Sequence, residues 1–186
     1  VEVPLDHFGD TPGTIEVYAR IVGNADSGNK PYLLYLQGGP GFPAPRPLAP
    51  TGLIGKALER YRVILMDQRG TGRSHRIDAL SPAAERTAKH LSLLRQDNIV
   101  RDAERLREHL GLEKWSLFGQ SFGGFCITAY LSQAPERVEH AFFTGGIPTL
   151  KGADELYRAT FSKLKARQQR FYREFPWAQG LSLIHI

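Results

Sequence analysis

Apolar residues in this chain form short unbroken runs that alternate with longer stretches of helical spacing. Such a run indicates a strand covered on both faces, as in a parallel sheet, because neither face carries polar residues. Strands of this kind are predicted at residues 32–36, 61–66, 115–119 and 138–144. Helices are predicted at 53–60, 97–111 and 122–133, a helix or helix pair at 153–175, and a mixture of helix and loop at 81–94.

The start of the chain has a different pattern. Residues 1–5 and 14–22 are rich in β-forming residues, and the glycines and prolines of 6–13 predict a turn that joins them as a hairpin. Strands and helices alternate after that, which is typical of an α/β fold. We therefore predict a mainly parallel sheet with an antiparallel N-terminal hairpin. Functional sites in such folds gather at the C-terminal ends of the strands.

The helix predicted at 97–111 has the clearest helical pattern. Its apolar residues recur at intervals of four, three and four residues and lie on one face. Asp97 or Asn98 is expected to cap its start, and Gly111 to close its end.

Composition excludes several classes of function. The net charge is 24 − 19 = +5, and residues 157–173 contain six Lys or Arg and no acidic residue. The charge is therefore local and does not indicate a nucleic-acid-binding protein. The lone cysteine, Cys126, excludes a disulfide framework and a cysteine-based zinc cluster, and we expect no metal or cofactor. No apolar run reaches the ~18 residues of a membrane span and no signal peptide is evident, so a cytoplasmic location is expected.

The most informative motif is Gly119-Gln120-Ser121-Phe122-Gly123, between a predicted strand and a predicted helix. It fits the Gly-x-Ser-x-Gly nucleophile elbow, in which Gly119 and Gly123 leave room for a strained serine. Ser121 is therefore the candidate nucleophile, at a helix N-terminus that favours a developing oxyanion. The alternative is a glycine-containing turn with an incidental serine.

A second motif, Gln37-Gly38-Gly39-Pro40-Gly41, ends the strand at 32–36. Acyl-transfer enzymes of this architecture take one oxyanion-binding N–H from such a loop, and glycines let the backbone approach the substrate. Gly39 N–H and Phe122 N–H are the predicted donors, with Gly38, Pro40 and Gly41 as supporting residues. A plain turn is the alternative.

The third motif, Asp67-Gln68-Arg69-Gly70-Thr71-Gly72-Arg73-Ser74, follows the strand at 61–66. Gly70 and Gly72 permit positive φ, and Asp67 and Arg69 can hydrogen-bond neighbouring loops. A supporting role near the active site is predicted. A phosphate-binding loop is the competing interpretation, but no Gly-Lys-Ser/Thr follows.

The order and spacing of the three motifs, over about residues 1–175, resemble the prolyl aminopeptidase (proline iminopeptidase) family of α/β-hydrolases. The opening Val3-Pro4-Leu5-Asp6-His7 also resembles one branch of that family. The resemblance implies removal of an N-terminal residue, often proline, from a peptide with a free N-terminus. It places the nucleophile at Ser121 and the oxyanion loop at Gly39. Gln37 departs from the family, since many relatives have histidine there.

A serine nucleophile also needs a histidine base and an orienting carboxylate, which follow the serine in this architecture. After Ser121 the only histidines are His140 and His185, and the only aspartate is Asp154. His140 lies within a predicted strand and not in the loop beyond it. No acceptable acid and base are therefore predicted in this chain.

The last six residues, Leu-Ser-Leu-Ile-His-Ile, are the translation of CTG-TCT-CTT-ATA-CAC-ATC, which reads as a transposon-end sequencing adapter. We therefore expect an N-terminal fragment with three parts. Residues 1–150 belong to the hydrolase core, 151–180 begin a helical cap domain, and 181–186 are an adapter-derived tail. The resemblance implies that cap residues absent here supply acidic groups for the substrate's amine.

Other interpretations of the whole chain stay open at this stage. The substrate could be an ester or another amide, because a fold does not fix function. The chain could also be a non-catalytic binding protein, and the basic helix at 153–175 a membrane-surface or acidic-partner helix instead of a cap helix. The sequence predicts inactivity for the chain as given, and it does not reveal the oligomeric state.

Overall fold

The structure is a computed structural model that describes residues 1–9, 11–23, 28–49, 51–146 and 151–180. The chain divides into two compact units, Val1–Pro148 and Thr149–Ile186. Each unit is described by itself below. The predicted tail at 181–186 lies outside the described residues.

The described residues of the first unit form seven strands in two sheets, and this architecture confirms the predicted α/β fold. The strands are β1 (Glu2–Pro4), β2 (Thr14–Glu16), β3 (Ala19–Val22), β4 (Tyr32–Leu36), β5 (Arg62–Met66), β6 (Trp115–Gln120) and β7 (Val138–Thr144). β1 and β2 form an antiparallel hairpin. The other five lie in the order β3-β5-β4-β6-β7, all parallel except β3, which is antiparallel to β5.

Four helices of the first unit connect these strands. They are α1 (Gly52–Leu58), α2 (Ala88–Leu91), α3 (Gln96–His109) and α4 (Phe122–Gln133). Short 3-10 turns occupy Ala83–Arg86, Ser92–Leu94 and Pro135–Arg137. The segment at 81–94 is thus the predicted mixture of short helices and turns, and the helix at 122–133 has the predicted bounds.

The two faces of the five-stranded sheet carry separate apolar clusters. Alternate strand residues such as Leu34, Ile64 and Leu117 pack with the buried faces of α3 and α4. The intervening residues, such as Leu33 and Val63, pack with α1 on the other face. Because both faces are apolar, the strands show the unbroken runs from which they were predicted.

The prediction of a single strand at 14–22 is wrong, because the structure divides this segment between two sheets. Val17 N–H donates to Val1 O (2.8 Å), and Tyr18 N–H donates to the Ser74 hydroxyl (2.8 Å). The backbone groups between β2 and β3 are therefore bonded to other parts of the chain. This break lets the chain cross from the hairpin to the edge of the main sheet.

The prediction that Asp97 or Asn98 caps α3 is also wrong. Arg95 occupies the N-cap position without a side-chain cap bond, so α3 begins earlier than expected. The Asn98 amide oxygen instead accepts a hydrogen bond from His7 N–H (3.0 Å), which ties the helix to the N-terminal hairpin. Gly111 closes the helix as predicted, with a φ of 66°.

The described residues of the second unit include α5 (Ala153–Glu174) and a following 3-10 turn at Pro176–Gly180. α5 carries exposed apolar side chains along its length, including Tyr157, Phe161 and Leu164. The Phe171 and Phe175 rings lie 5.1 Å apart between centroids near its end. Among the described residues, no helix combines the length and apolar character needed to cross a membrane.

Candidate active site

Ser121 lies in a sharp turn between the end of β6 and the start of α4. Its φ is +51° and its ψ is −115°, a conformation that costs a non-glycine residue on the order of 1–3 kcal/mol. Two hydrogen bonds hold the turn. Ser121 N–H donates to Thr144 O at the end of β7 (2.9 Å), and Gly124 N–H donates to Ser121 O (2.9 Å).

The glycines around Ser121 are required by close backbone contacts. A Cβ at Gly119 would lie 2.4 Å from Gly123 O, and a Cβ at Gly123 would lie 1.9 Å from Leu36 O. Both distances are far inside van der Waals contact. The structure therefore accounts for the two glycines of the predicted elbow by sterics, since no side chain fits where β6, α4 and β4 converge.

The predicted oxyanion loop packs directly against the elbow. A Cβ at Gly38 would lie 2.8 Å from Gln120 O and 3.0 Å from Ser121 Cβ. Gly39 has a φ of +123°, and the Gln68 amide donates to Gln37 O (3.1 Å). Gly39 N–H and Phe122 N–H have no hydrogen-bond partner in the described part of the chain. Both predicted donors are thus free to bind a ligand, and their role as an oxyanion hole stays a prediction.

The side chain of Ser121 is exposed, and its hydroxyl has no hydrogen-bond partner among the described residues. The five described histidines lie elsewhere. His7 contacts Asp102, His75 contacts Glu85, and His140 approaches the Ser116 hydroxyl (3.5 Å) near the start of β6. His90 and His109 lie on α2 and at the end of α3. Among the described residues, no hydrogen bond or ion pair joins a histidine to Ser121, and the missing base stays a prediction.

The loop 67–74 is built around the buried Arg69. Its guanidinium forms a two-point ion pair with the Asp102 carboxylate, with N–O distances of 2.6 and 2.7 Å. The same guanidinium donates to Leu5 O (2.7 Å), Leu93 O (3.0 Å) and Pro4 O (3.1 Å). One side chain thus joins the N-terminal hairpin, the segment before α3 and α3 itself.

Asp67 also has a structural role, because it binds the proline-rich loop that follows the oxyanion loop. Its carboxylate accepts from Ala44 N–H (2.9 Å), Arg73 N–H (2.9 Å) and the Arg46 guanidinium (2.5 Å). Gly72, with a φ of +53°, leaves no space for a Cβ, which would lie 2.2 Å from Asp67 Oδ2. The Asp67 and Arg69 side chains therefore bond to protein groups, and no helix begins at this loop, so a phosphate site is not favoured.

A pocket of about 400 Å³, which we call the oxyanion-side pocket, adjoins the elbow. Pro40, Gly41 and Phe122 form its boundary with the active site. Its other walls come from the loop around Gly70, the segment before α3 and the first turn of α3. No group of three or more side chains suited to a metal ion occurs among the described residues.

Two buried groups near the elbow are held in their protonated form. Burial raises the pKa of the Cys126 thiol on α4 to about 12, which fits a packing role and not a second nucleophile. Burial also raises the pKa of Tyr35, whose hydroxyl donates to the Gln120 side-chain oxygen (2.7 Å). The residue before Ser121 is thereby fixed to β4.

Sequence reasoning missed several residues that shape the site. Gly146 packs on the elbow so closely that a Cβ there would lie 1.8 Å from Ser121 O. The signal was present, since a glycine pair follows the strand predicted at 138–144. Asp102, the partner of Arg69, was also missed. It lies three residues after Ile99 on the apolar face of α3, where a carboxylate indicates a buried partner.

Comparison with known proteins gives consistent matches. The sequence profile of the alpha/beta hydrolase fold family matches residues 31–185. A proline iminopeptidase of Aeromonas sobria is 47% identical over 97% of this chain and 44% of its own length. A proline iminopeptidase of Aspergillus aculeatus is 35% identical over 94% of this chain and 42% of its own length. The chain therefore spans less than half the length of these curated relatives.

Two solved structures of proteins that are not named as peptidases share this fold. The 2-hydroxy-6-oxo-6-phenylhexa-2,4-dienoate hydrolase from a Rhodococcus strain superposes with a TM-score of 0.56 at 26% identity, over 84% of this chain and 50% of that one. A thermophilic esterase from Thermogutta terrifontis has a TM-score of 0.56 at 22% identity, over 83% of this chain and 48% of its own. The second likeness concerns the fold alone.

Proposed function

The chain belongs to the α/β-hydrolase family, within its proline iminopeptidase group, and we propose that its parent protein is a serine aminopeptidase that uses Ser121. The single observation that carries this proposal is the strained backbone of Ser121, an exposed residue whose hydroxyl has no hydrogen-bond partner among the described residues. A binding protein gains nothing from that strain. A nucleophile needs it, because the turn projects the hydroxyl above the sheet.

The proposed reaction is acyl transfer. Ser121 Oγ attacks the carbonyl carbon of the N-terminal residue, and Gly39 N–H and Phe122 N–H stabilise the negative oxygen that forms. A histidine base takes the serine proton and returns it to the leaving amine. Water then hydrolyses the acyl-enzyme and frees the N-terminal residue and Ser121.

The base and its orienting acid have to come from residues outside those described. In α/β-hydrolases they follow the nucleophile along the chain. We propose that the 186-residue chain alone does not turn over substrate, because loss of triad members costs on the order of 10⁴- to 10⁶-fold in rate. We also propose that α5 begins a helical cap domain.

The substrate is proposed to be a peptide with a free N-terminal proline or a similar small residue. The printed names of the relatives from Aeromonas sobria and Aspergillus aculeatus support this choice. The competing candidate is a hydrolase of esters or other amides, because the dienoate hydrolase named above shares the fold and a fold does not fix function. The cytoplasmic location and the absence of nucleic-acid or membrane partners stay predictions.

The decisive experiment compares proline arylamide with its N-acetylated form as substrates of the parent protein, expressed from the uninterrupted gene. We expect turnover of the free amine alone, and none of either compound by the 186-residue chain. A preference for the acetylated compound or a simple ester would replace the aminopeptidase by the general hydrolase. No turnover of any of them would favour a binding protein.

A further inference from the structure

The oxyanion-side pocket has a chemistry that selects one part of a peptide substrate. Its boundary with the active site consists of Pro40 and Gly41 from the oxyanion loop and Phe122 from the elbow. A group in this pocket is therefore next to a carbonyl bound at Gly39 and Phe122. Its volume of about 400 Å³ falls within the usual range for ligand pockets and far exceeds what a water molecule needs.

Four apolar side chains line the pocket beside the polar Gln68, Thr71 and Gln96. They are Ile77, Leu91 at the end of α2, Leu94, and Ile99 in the first turn of α3. Leu91 remains 43% exposed although the neighbouring Leu93 is buried, so the pocket has apolar surface that the described residues leave uncovered. Burying an apolar side chain there removes this surface from water, which is favourable by about 0.8 kcal/mol per CH₂ group.

The charged groups of the wall are cationic. Arg69 and Arg95 line the pocket, and no Asp or Glu is among the described residues that do so. The charge of Arg69 is balanced inside the wall by its ion pair with Asp102. Arg95 differs, because its side chain is 67% exposed and, among the described residues, its one ion-pair contact is with Asp97 Oδ2 at 3.3 Å. Arg95 therefore has donors left for a second anion.

This charge pattern disfavours one end of the substrate. The N-terminal amine of a peptide is cationic near neutral pH, and the positive charge of Arg95 repels it. A short peptide's other end is a carboxylate, which is complementary to Arg95. We therefore propose that the oxyanion-side pocket binds the second residue of the peptide, whose amine is freed by the cleavage, and that it favours an apolar side chain there. In a dipeptide substrate, Arg95 binds the carboxylate of this second residue. This inference rests on the proposed function and specifies its substrates.

The test measures kcat/KM of the parent protein for four compounds: prolinamide, Pro-Gly, Pro-Leu and Pro-Leu amide. Prolinamide releases only ammonia, which does not reach the pocket, so it reports the proposed function alone. We expect at least about tenfold preference for Pro-Leu over Pro-Gly, the lower end of the range for one methylene group in an apolar pocket. We expect about two- to fivefold preference for Pro-Leu over its amide, falling with added salt, as for an exposed ion pair.

Two pairs of variants test whether Leu91 and Arg95 cause these substrate preferences. Leu91→Ser should reduce the Pro-Leu to Pro-Gly ratio about threefold, whereas Leu80→Ser, at a fully exposed leucine outside the pocket, should not. Arg95→Gln should bring the acid to amide ratio to about one. Arg105→Gln on α3 removes another exposed arginine, which is paired with Glu108, and should leave that ratio unchanged.

The possible failures are distinguishable. Turnover of prolinamide with ratios that Leu91→Ser and Arg95→Gln do not move would overturn the pocket assignment and leave the proposed function standing. Equal shifts in the control variants would overturn the assignment as well. No turnover of prolinamide and the peptides would overturn the proposed function together with this inference.

Discussion

Two glycine-rich loops of the first unit, the elbow around Ser121 and the loop 67–74, differ in what their polar groups contact. In the loop 67–74, the buried Arg69 and Asp67 side chains bond to neighbouring backbone and side chains. At the elbow, the Ser121 hydroxyl and the Gly39 and Phe122 N–H groups have no partner within the described residues. Both loops contain residues with positive φ. Backbone conformation alone therefore does not distinguish a loop with a structural role from a loop with a catalytic role.

The difference follows from what each loop has to do. A buried charge is tolerated only when it is paired and hydrogen-bonded, so Arg69 needs all of its partners in the folded chain. A nucleophile and an oxyanion hole need the opposite, because their partners arrive with the substrate. Unpartnered groups held by a strained backbone therefore indicate chemistry, and saturated networks indicate support.

The largest expected effect is on activity at the elbow. Ser121→Ala in the parent protein should reduce kcat/KM for proline arylamide by on the order of 10⁴- to 10⁶-fold, because alanine has no hydroxyl to attack the carbonyl carbon. The melting temperature should stay within about a degree, since the hydroxyl makes no contact in the described fold. A variant that keeps more than a hundredth of the activity would contradict the assignment.

The second largest expected effect is a loss of stability when the buried Arg69 of the loop 67–74 is replaced. Arg69→Met leaves Asp102 buried without its guanidinium partner, and we expect a loss of about 3–5 kcal/mol in the free energy of unfolding. Urea denaturation of the parent protein measures it. Arg73→Met is the matched control, because Arg73 is exposed and only stacks on Tyr18 through its side chain, and should cost under about 1 kcal/mol. Equal losses in the two variants would show that the Arg69 network is not the structural element we describe.

A third change tests the contact between the oxyanion loop and the elbow. Gly38→Ala places a methyl group 2.8 Å from Gln120 O, so the loop has to move and carries Gly39 N–H with it. We expect kcat to fall about 10²- to 10³-fold, as for loss of one oxyanion donor, with KM less affected. Gly28→Ala, where a Cβ meets nothing within 4 Å, is the control and should retain full activity. A Gly38 variant with unchanged kcat would separate this loop from the chemistry.

The sequence predicted most of the fold because each element carried its own pattern. Strands buried on both faces appeared as unbroken apolar runs, and the elbow appeared as a motif between a strand and a helix. The break in 14–22 was not predictable, since it depends on Ser74, which is distant in sequence and bonds Tyr18 N–H. The Arg69–Asp102 pair was missed for the same reason, although the carboxylate on the apolar face of α3 was visible. Local patterns specify elements, whereas long-range polar pairs require the tertiary structure.

The smallest expected effect is on the free energy of unfolding and comes from the backbone strain at Ser121 itself. Ser121→Gly removes a side chain from a conformation that glycine adopts freely, which recovers part of the ~1–3 kcal/mol of strain. Glycine also increases the conformational entropy of the unfolded chain, and this lowers the free energy of unfolding by about 0.4–1 kcal/mol. We expect the inactive variant to be more stable by about 1 kcal/mol in urea unfolding.

The control for this last change is Ser132→Gly in α4, an exposed serine in ordinary helical conformation. It should be destabilising by about 0.5–1 kcal/mol, because glycine in a helix adds the same unfolded-state entropy and relieves no strain. Opposite signs at two serines eleven residues apart would show that the fold maintains the Ser121 conformation at a cost in stability. If both variants were destabilised equally, the elbow would be unstrained, and the main structural support for Ser121 as the nucleophile would be lost.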